Sequence, residues 1–275
     1  MKKGTKLSKN LIKNLVIWIV DLIILIPLIL VLINSLKDKY QSSSMGMDLP
    51  TQLHFENFTT VIAQGKLFRS FLNSMLYAGS SVVFGVILAS MAAYVLSRNK
   101  SKFNKFIYFF IVLGIASPIN YVSLTKIMQI THLMNKPIGI CLLYTAMQIP
   151  FSVFLIYGFI STVPKDLDEA GIIDGCSPLR LFFSIVFPLL TPVAVTVGLL
   201  NFMGSWNDFV TPLYYLNSAK NWPMTLAVYN FFGQYQMEWN LVSADIILTS
   251  LPVIIIYIIG QKYIISGMTS GSVKG

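Results

Sequence analysis

Glu169-Ala-Gly-Ile-Ile-Asp-Gly-Cys-Ser-Pro178, continuing through Arg180 to Ile185-Val-Phe-Pro188, is the stretch on which the reading of this chain turns. It lies between two long apolar runs, and Val163-Pro-Lys-Asp-Leu-Asp168 leads into it. Pro164 suits the first turn of a helix, where its missing N–H costs nothing. Asp166, Asp168 and Glu169 crowd the same end, where the macrodipole favours negative charge. Leu167, Ala170, Gly171 and Asp174 follow at i, i+3, i+4 and i+7, which is one helix face. Gly175 suits a left-handed stop, and Pro178 prevents the helix from resuming at once. The spacing predicts a water-facing helix of about three turns. Ala170 and Gly171 make part of its face nearly flat, and Glu169 and Asp174 flank that patch with charge. It reads as a docking element for another protein. The same spacing also fits an ordinary capped linker helix, and spacing alone does not separate the two.

The surrounding chain is mostly membrane. Its 275 residues are 55% hydrophobic and 11% charged, with a mean hydropathy of +0.69. Soluble domains carry about 25% charged residues. Six runs are apolar over about 20 residues or more, enough to span a bilayer. They lie near Leu15 to Leu36, Phe71 to Leu96, Phe106 to Ile130, Ile138 to Val163, Leu179 to Met203 and Ala244 to Ile265. The first is too long for a cleaved signal peptide and lacks a small-residue cleavage site after it. The net charge of +9 is distributed as topology demands, which excludes a nucleic-acid reading. Lys2, Lys3, Lys6, Lys9 and Lys13 precede the first run, and Arg98, Lys100, Lys102 and Lys105 fill the gap between the second and third. Such clusters hold loops in the cytoplasm, so both termini are expected there.

Two outer loops are long: Lys37 to Ser70 is polar, and Gly204 to Ser243 is rich in aromatic residues. Cys141 and Cys176 fall on opposite sides of the bilayer in this topology, too far apart for a disulfide. His54 and His132 are isolated, and no Cys/His cluster has metal-ligand spacing. Asp21, Lys126 and Asp245 are ionisable at or near membrane depth and are functional candidates on that ground. Headgroup contact or snorkelling accounts for them equally well. Asn120, Gln129 and Gln148 are candidates to line a polar path.

The pattern Glu169-Ala170-x-x-x-Asp174-Gly175, followed by Ile185-x-x-Pro188, resembles the "EAA" loop of permease subunits of ABC importers. Two positions depart mildly from it: Gly171 stands where a further alanine is usual, and Phe187 where leucine is usual. The resemblance continues through Phe202-Met-Gly-Ser-Trp-Asn-Asp-Phe209, Pro212-Leu213, Thr225-Leu226, Leu251-Pro252, Gln261-Lys-Tyr263 and Gly267-x-x-x-Gly271-x-x-Lys274-Gly275. These look like carbohydrate permeases of the maltose-transporter type, the six-span subunit with a short tail. The likeness covers about Phe71 to Gly275, and the preceding part matches loosely.

The resemblance implies an all-α polytopic membrane protein, the type I ABC importer permease fold, with six transmembrane helices and a short cytoplasmic coupling helix. It divides the chain into a cytoplasmic segment, first span and outer loop (1–70), a permease domain (71–265) and a cytoplasmic tail (266–275). It also implies a non-enzymatic subunit of a bacterial cytoplasmic-membrane importer. Its partners would be a second homologous permease, two ATPase subunits that bind ATP and Mg, an extracytoplasmic sugar-binding protein and a sugar. This chain has no Gly-x-x-x-x-Gly-Lys-[Ser/Thr] loop of its own. Leu167, Glu169, Ala170, Gly171, Asp174, Gly175 and Pro188 would couple to the ATPase. Asn230, Phe231, Phe232, Tyr235 and Trp239 match in position a loop that reaches into the binding protein, although an interfacial aromatic belt fits them as well. Trp206, Asn207, Asp208, Asn120 and Gln148 are the candidates for an outer gate or path. The tail from Ser266 to Gly275 resembles one that enters the space between the ATPases. An ABC permease for another small solute such as a polyamine, an ion-coupled secondary transporter and a membrane-embedded enzyme are the competing readings.

Overall fold

The computed structural model describes residues 2–232 and 237–269, with side chains described over 13–232 and 237–263. Tyr235 and much of the tail lie outside the described residues. In chain order the helices are α1 (Lys2–Ser35), α2 (Lys39–Ser42), α3 (Glu56–Gln64), α4 (Leu67–Arg98), α5 (Lys102–Leu113), α6 (Tyr121–Ile130), α7 (Pro137–Ile160) and α8 (Asp166–Ile173). They continue with α9 (Pro178–Leu181), a π-helical turn (Phe182–Val186), α10 (Phe187–Leu189), α11 (Thr191–Asn207), α12 (Val210–Tyr215), α13 (Met224–Ala227) and α14 (Trp239–Thr269). Phe232 and Met237 form an isolated antiparallel bridge. Four described stretches are long and apolar enough to cross a membrane: Lys13–Ser35, Leu67–Arg98, Pro137–Ile160 and Trp239–Tyr263. A fifth forms if Pro178–Leu189 and Thr191–Asn207, bent by 81°, count as one.

The chain divides into two compact units, Met1–Leu67 with Ala227–Leu251, and Phe68–Leu226 with Pro252–Gly275. In the first, the stretch of α1 from Leu15 to Ile29 is apolar nearly all round and exposed, as a lipid-facing span is. The expected outer loop after it carries structure of its own, knotted by polar groups. Asp38 accepts from the N–H groups of Tyr40 and Gln41 to start α2. Buried Lys37 donates from Nζ to Asn34 Oδ1 (3.2 Å) and to the Gly46 carbonyl (2.8 Å). Asn57 donates to the carbonyls of Ser35 (2.8 Å) and Lys37 (2.9 Å). Asn240 in turn donates to Asn57 Oδ1 at 2.9 Å. His54 is hydrogen-bonded to Glu56 and holds that carboxyl below its usual value.

In the second unit, small residues on α4 let its neighbours approach. Ala78, Ser81, Ala89, Ser90 and Ala93 are all fully buried. Ser81 and Ser205 hydroxyls bond at 2.9 Å, and Asn201 of α11 donates to Ser152 of α7 at 3.2 Å. Small faces with a few interhelical polar bonds are the packing solution available where lipid offers no hydrophobic drive. Val86, Ala89, Ala93, Val153, Ile156, Phe182, Val186 and Val197 make the core beneath them.

Two of the six predicted runs are not single straight helices. The run from Phe106 to Ile130 breaks between α5 and α6, so the expectation of one continuous helix there is corrected. Pro118 lacks a donor and pushes Ser117 out of helical geometry. Asn120 then restarts α6 by accepting from the Ser123 N–H at 3.0 Å. A Cβ on Gly114 would lie 2.9 Å from the Pro150 ring, which puts the start of the break against the interior of α7. The run from Leu179 to Met203 bends at Leu190. Pro188 removes a ladder donor, the preceding turn widens to π geometry, and Pro192 opens α11 afresh.

Candidate functional site

The helix α8 begins two residues later than its sequence suggests. Pro164 precedes it, and Lys165 occupies the cap, with its carbonyl accepting from Asp168 (2.8 Å) and Glu169 (3.2 Å). Asp166, Asp168 and Glu169 fill the first turn, as the macrodipole favours. The predicted stop is present. Gly175 is left-handed (φ 76°), its N–H bonds the Ile172 carbonyl, and the Cys176 N–H bonds the Gly171 carbonyl. That pair of bonds is a Schellman closure, which leaves α8 as a short rod with both ends fixed.

The helix has an inner and an outer face. Asp168 and Gly171, one turn apart, are buried. A Cβ on Gly171 would lie 2.5 Å from Leu181 Cδ1 and 2.8 Å from Ile185 Cδ1. The close approach that this glycine permits is therefore made to the chain's own following segment, not to an outside surface. Leu167, Glu169, Ala170 and Asp174 are exposed, as are Ile172 and Ile173, the last 85% exposed. The outer surface is thus an apolar patch with carboxylates beside it. Pro188 is also exposed, beyond the π turn, and belongs to the bend.

An ion pair absent from the sequence reading anchors the inner face. Asp168 Oδ2 lies 2.6 Å from Arg98 Nε, with both side chains largely buried. The same guanidinium donates to the Val163 carbonyl (3.1 Å) and the Pro164 carbonyl (3.4 Å). Arg98 is the last residue of α4, so the end of that helix is tied to the linker and to the first turn of α8. The two residues are far apart in sequence, and in sequence Arg98 reads only as loop charge. No local pattern reports such a pair.

The path candidates separate. Trp206 is 2% exposed and stacks on Phe202 at 5.3 Å, so it is a packing residue. Asp208 caps α12, accepting from the N–H groups of Val210 (3.0 Å) and Thr211 (3.2 Å). Asn207 and Asp208 line one cavity of about 380 Å³ together with Gln148. Asn120 lines a neighbouring cavity of about 650 Å³ beside the break between α5 and α6. The two cavities share Ile119 and Met147 as lining residues.

The aromatic loop candidates lie in the other unit. Asn230 donates to the Gly65 carbonyl at 3.2 Å. Phe231 is buried over Gly65, and Phe232 packs against Tyr229 and edge-on to Trp239. Elsewhere, Cys141 and Cys176 are free thiols. Asp245 is buried with one oxygen unpartnered.

The apolar helices and the short capped helix between two of them define a polytopic membrane protein. Residues 81–270 match the family of binding-protein-dependent transport system inner membrane components. The chain belongs to that family. It is 36% identical over 253 residues to the melibiose/raffinose/stachyose import permease protein MelC of Bacillus subtilis, covering 91% of each chain. It is 32% identical over 279 residues to the multiple sugar-binding transport system permease protein MsmG of Streptococcus mutans, covering 100% of each. Its fold is similar to a chain in the crystal structure of a bacterial ABC transporter involved in alginate import, with a TM-score of 0.80 at 19% identity, covering 94% of this chain and 97% of that one.

Proposed function

We infer that this chain is a permease subunit of an ABC importer that carries a sugar or oligosaccharide across the bacterial cytoplasmic membrane. The energy comes from partner ATPase subunits acting through α8. The observation that carries the coupling role is the two-faced construction of that helix. Its inner face is tied to α4 by Asp168 and Arg98 and to the next segment at Gly171. Its outer face leaves Leu167, Ala170, Ile172 and Ile173 uncovered beside Glu169 and Asp174. A partner that engages the outer face moves the end of α4 with it. The sugar cargo is supported by the names of the relatives, two of which are sugar permeases.

In this reading a second, homologous permease completes the pathway, and a sugar-binding protein delivers cargo. Two ATPases, which hold ATP and Mg, engage the coupling helices. The N-terminal and C-terminal segments lie in the cytoplasm with α8, in keeping with the early lysines and the loop between α4 and α5. The division into 1–70, 71–265 and 266–275 describes anchor, permease domain and tail. ATP-driven closure moves the population from inward- to outward-facing only if it favours one state over the other by about 5.5 kcal/mol for a nearly complete shift.

The test is uptake of labelled melibiose, raffinose and stachyose by proteoliposomes holding the complete transporter, with and without the ATPase. Uptake should require the ATPase. Glu169→Lys should lower uptake about tenfold or more, because it reverses charge on the docking face without touching a span, while the subunit remains in the membrane. Uptake that persists without any ATPase contradicts the class, and wild-type uptake in Glu169→Lys contradicts the role of α8.

A further inference from the structure

Tyr121, Tyr144, Gln148, Asn207, Asp208 and Thr211 come from three helices and the α11–α12 junction to line one cavity of about 380 Å³. That volume falls within the range of small-molecule sites, about 300–1,000 Å³. The Thr211 hydroxyl is buried on its wall without a hydrogen-bond partner. The Tyr144 hydroxyl, also buried, stands toward the Asp208 carboxylate without a well-formed bond. A buried polar group left unpaired is costly, and the Thr211 hydroxyl on the cavity wall points to a polar guest that completes it. Gly204 belongs to the same design: a Cβ there would lie 3.0 Å from Gln148 Nε2, so its absence lets that amide lie across α11. Tyr121 is held as a flat wall by stacking on Tyr214 at 4.9 Å. Ile119, in the non-helical break, closes another side, and irregular backbone within a span is tolerated where it lines a cavity.

The lining also selects the guest. No lysine or arginine lines the cavity, so an anion finds no counter-charge. Asp208 is the one carboxylate among its lining residues, and a polycation needs more than one counter-charge. Hydroxyls, amides and an aromatic face suit a neutral polyhydroxylated ring. We propose that this cavity is a sugar subsite belonging to this subunit, with Thr211 and Tyr144 bonding ring hydroxyls, Gln148 and Asn207 fixing orientation, and Tyr121 covering an apolar C–H face. The proposal rests on the sugar-permease reading and deepens it, because it gives this chain its own contact with the cargo.

The experiment measures sugar carried per ATP hydrolysed by the complete transporter in proteoliposomes, using tritiated melibiose, raffinose and stachyose. Thr211→Val and Gln148→Leu should each lower that ratio about fivefold, the effect of losing one hydrogen bond to cargo. Thr211→Ser, which restores the hydroxyl, should recover it. An unchanged ratio in both variants, or uptake and hydrolysis falling in the same proportion, overturns the subsite while leaving the sugar-permease reading intact. Failure of the wild-type transporter to carry any of the three sugars counts against that reading itself, and the subsite falls with it.

Discussion

Asp168 concentrates the mechanism at the scale of single residues. Replacing it by asparagine leaves the Arg98 guanidinium beside backbone carbonyls with its counter-charge gone. Removing one partner of a buried pair costs about 3 kcal/mol, reduced here to the extent that water reaches the remaining exposed atoms. Asp168→Asn should therefore lower the midpoint of thermal unfolding in detergent and loosen α8, read as faster proteolysis between residues 163 and 175. An unchanged midpoint and cleavage pattern would refute the anchoring role. The sequence made the stop at Gly175 and the acidic first turn legible, because both depend on residues within one turn of each other. It misassigned the face of Gly171, because a glycine between apolar positions looks the same whether the surface that approaches belongs to a partner or to the same chain. Only the positions of Leu181 and Ile185 decide it.

At the scale of elements, the apolar runs were legible because hydropathy accumulates over many residues, and the breaks were hidden for the same reason. The segment from Gly114 to Asn120 is apolar enough to continue a run, although Gly114 and Pro118 carry the signal for a stop. The consequence is two short helices, α5 and α6, whose junction lines cavities. Gly114→Val should push α5 away from the rigid Pro150 ring, which a Cβ already approaches at 2.9 Å. The cost expected of such overpacking is about 1–3 kcal/mol, visible in the unfolding midpoint. A midpoint equal to that of the parent protein would mean that α5 is not held at this level. The polar knot around Asn57 was invisible in sequence because Asn34, Lys37 and Asn240 meet it only through the tertiary fold.

For the molecule as a whole, the structure places a short capped helix between two apolar helical segments, with Leu167, Ile172 and Ile173 open and Asp168 and Gly171 secured within the chain. A contiguous apolar patch on an exposed helix marks a surface for a partner. In this account the partner is an ATPase subunit in the cytoplasm. The direct measurement is cross-linking in the complete transporter, with Cys141 and Cys176 replaced by alanine and a single cysteine introduced as Ile173→Cys, the most exposed large apolar residue on α8. The account predicts an adduct between this permease and the ATPase subunit whose yield changes when ATP binds. Absence of any ATPase adduct, or labelling of that cysteine by a membrane-impermeant maleimide from outside intact cells, would contradict it.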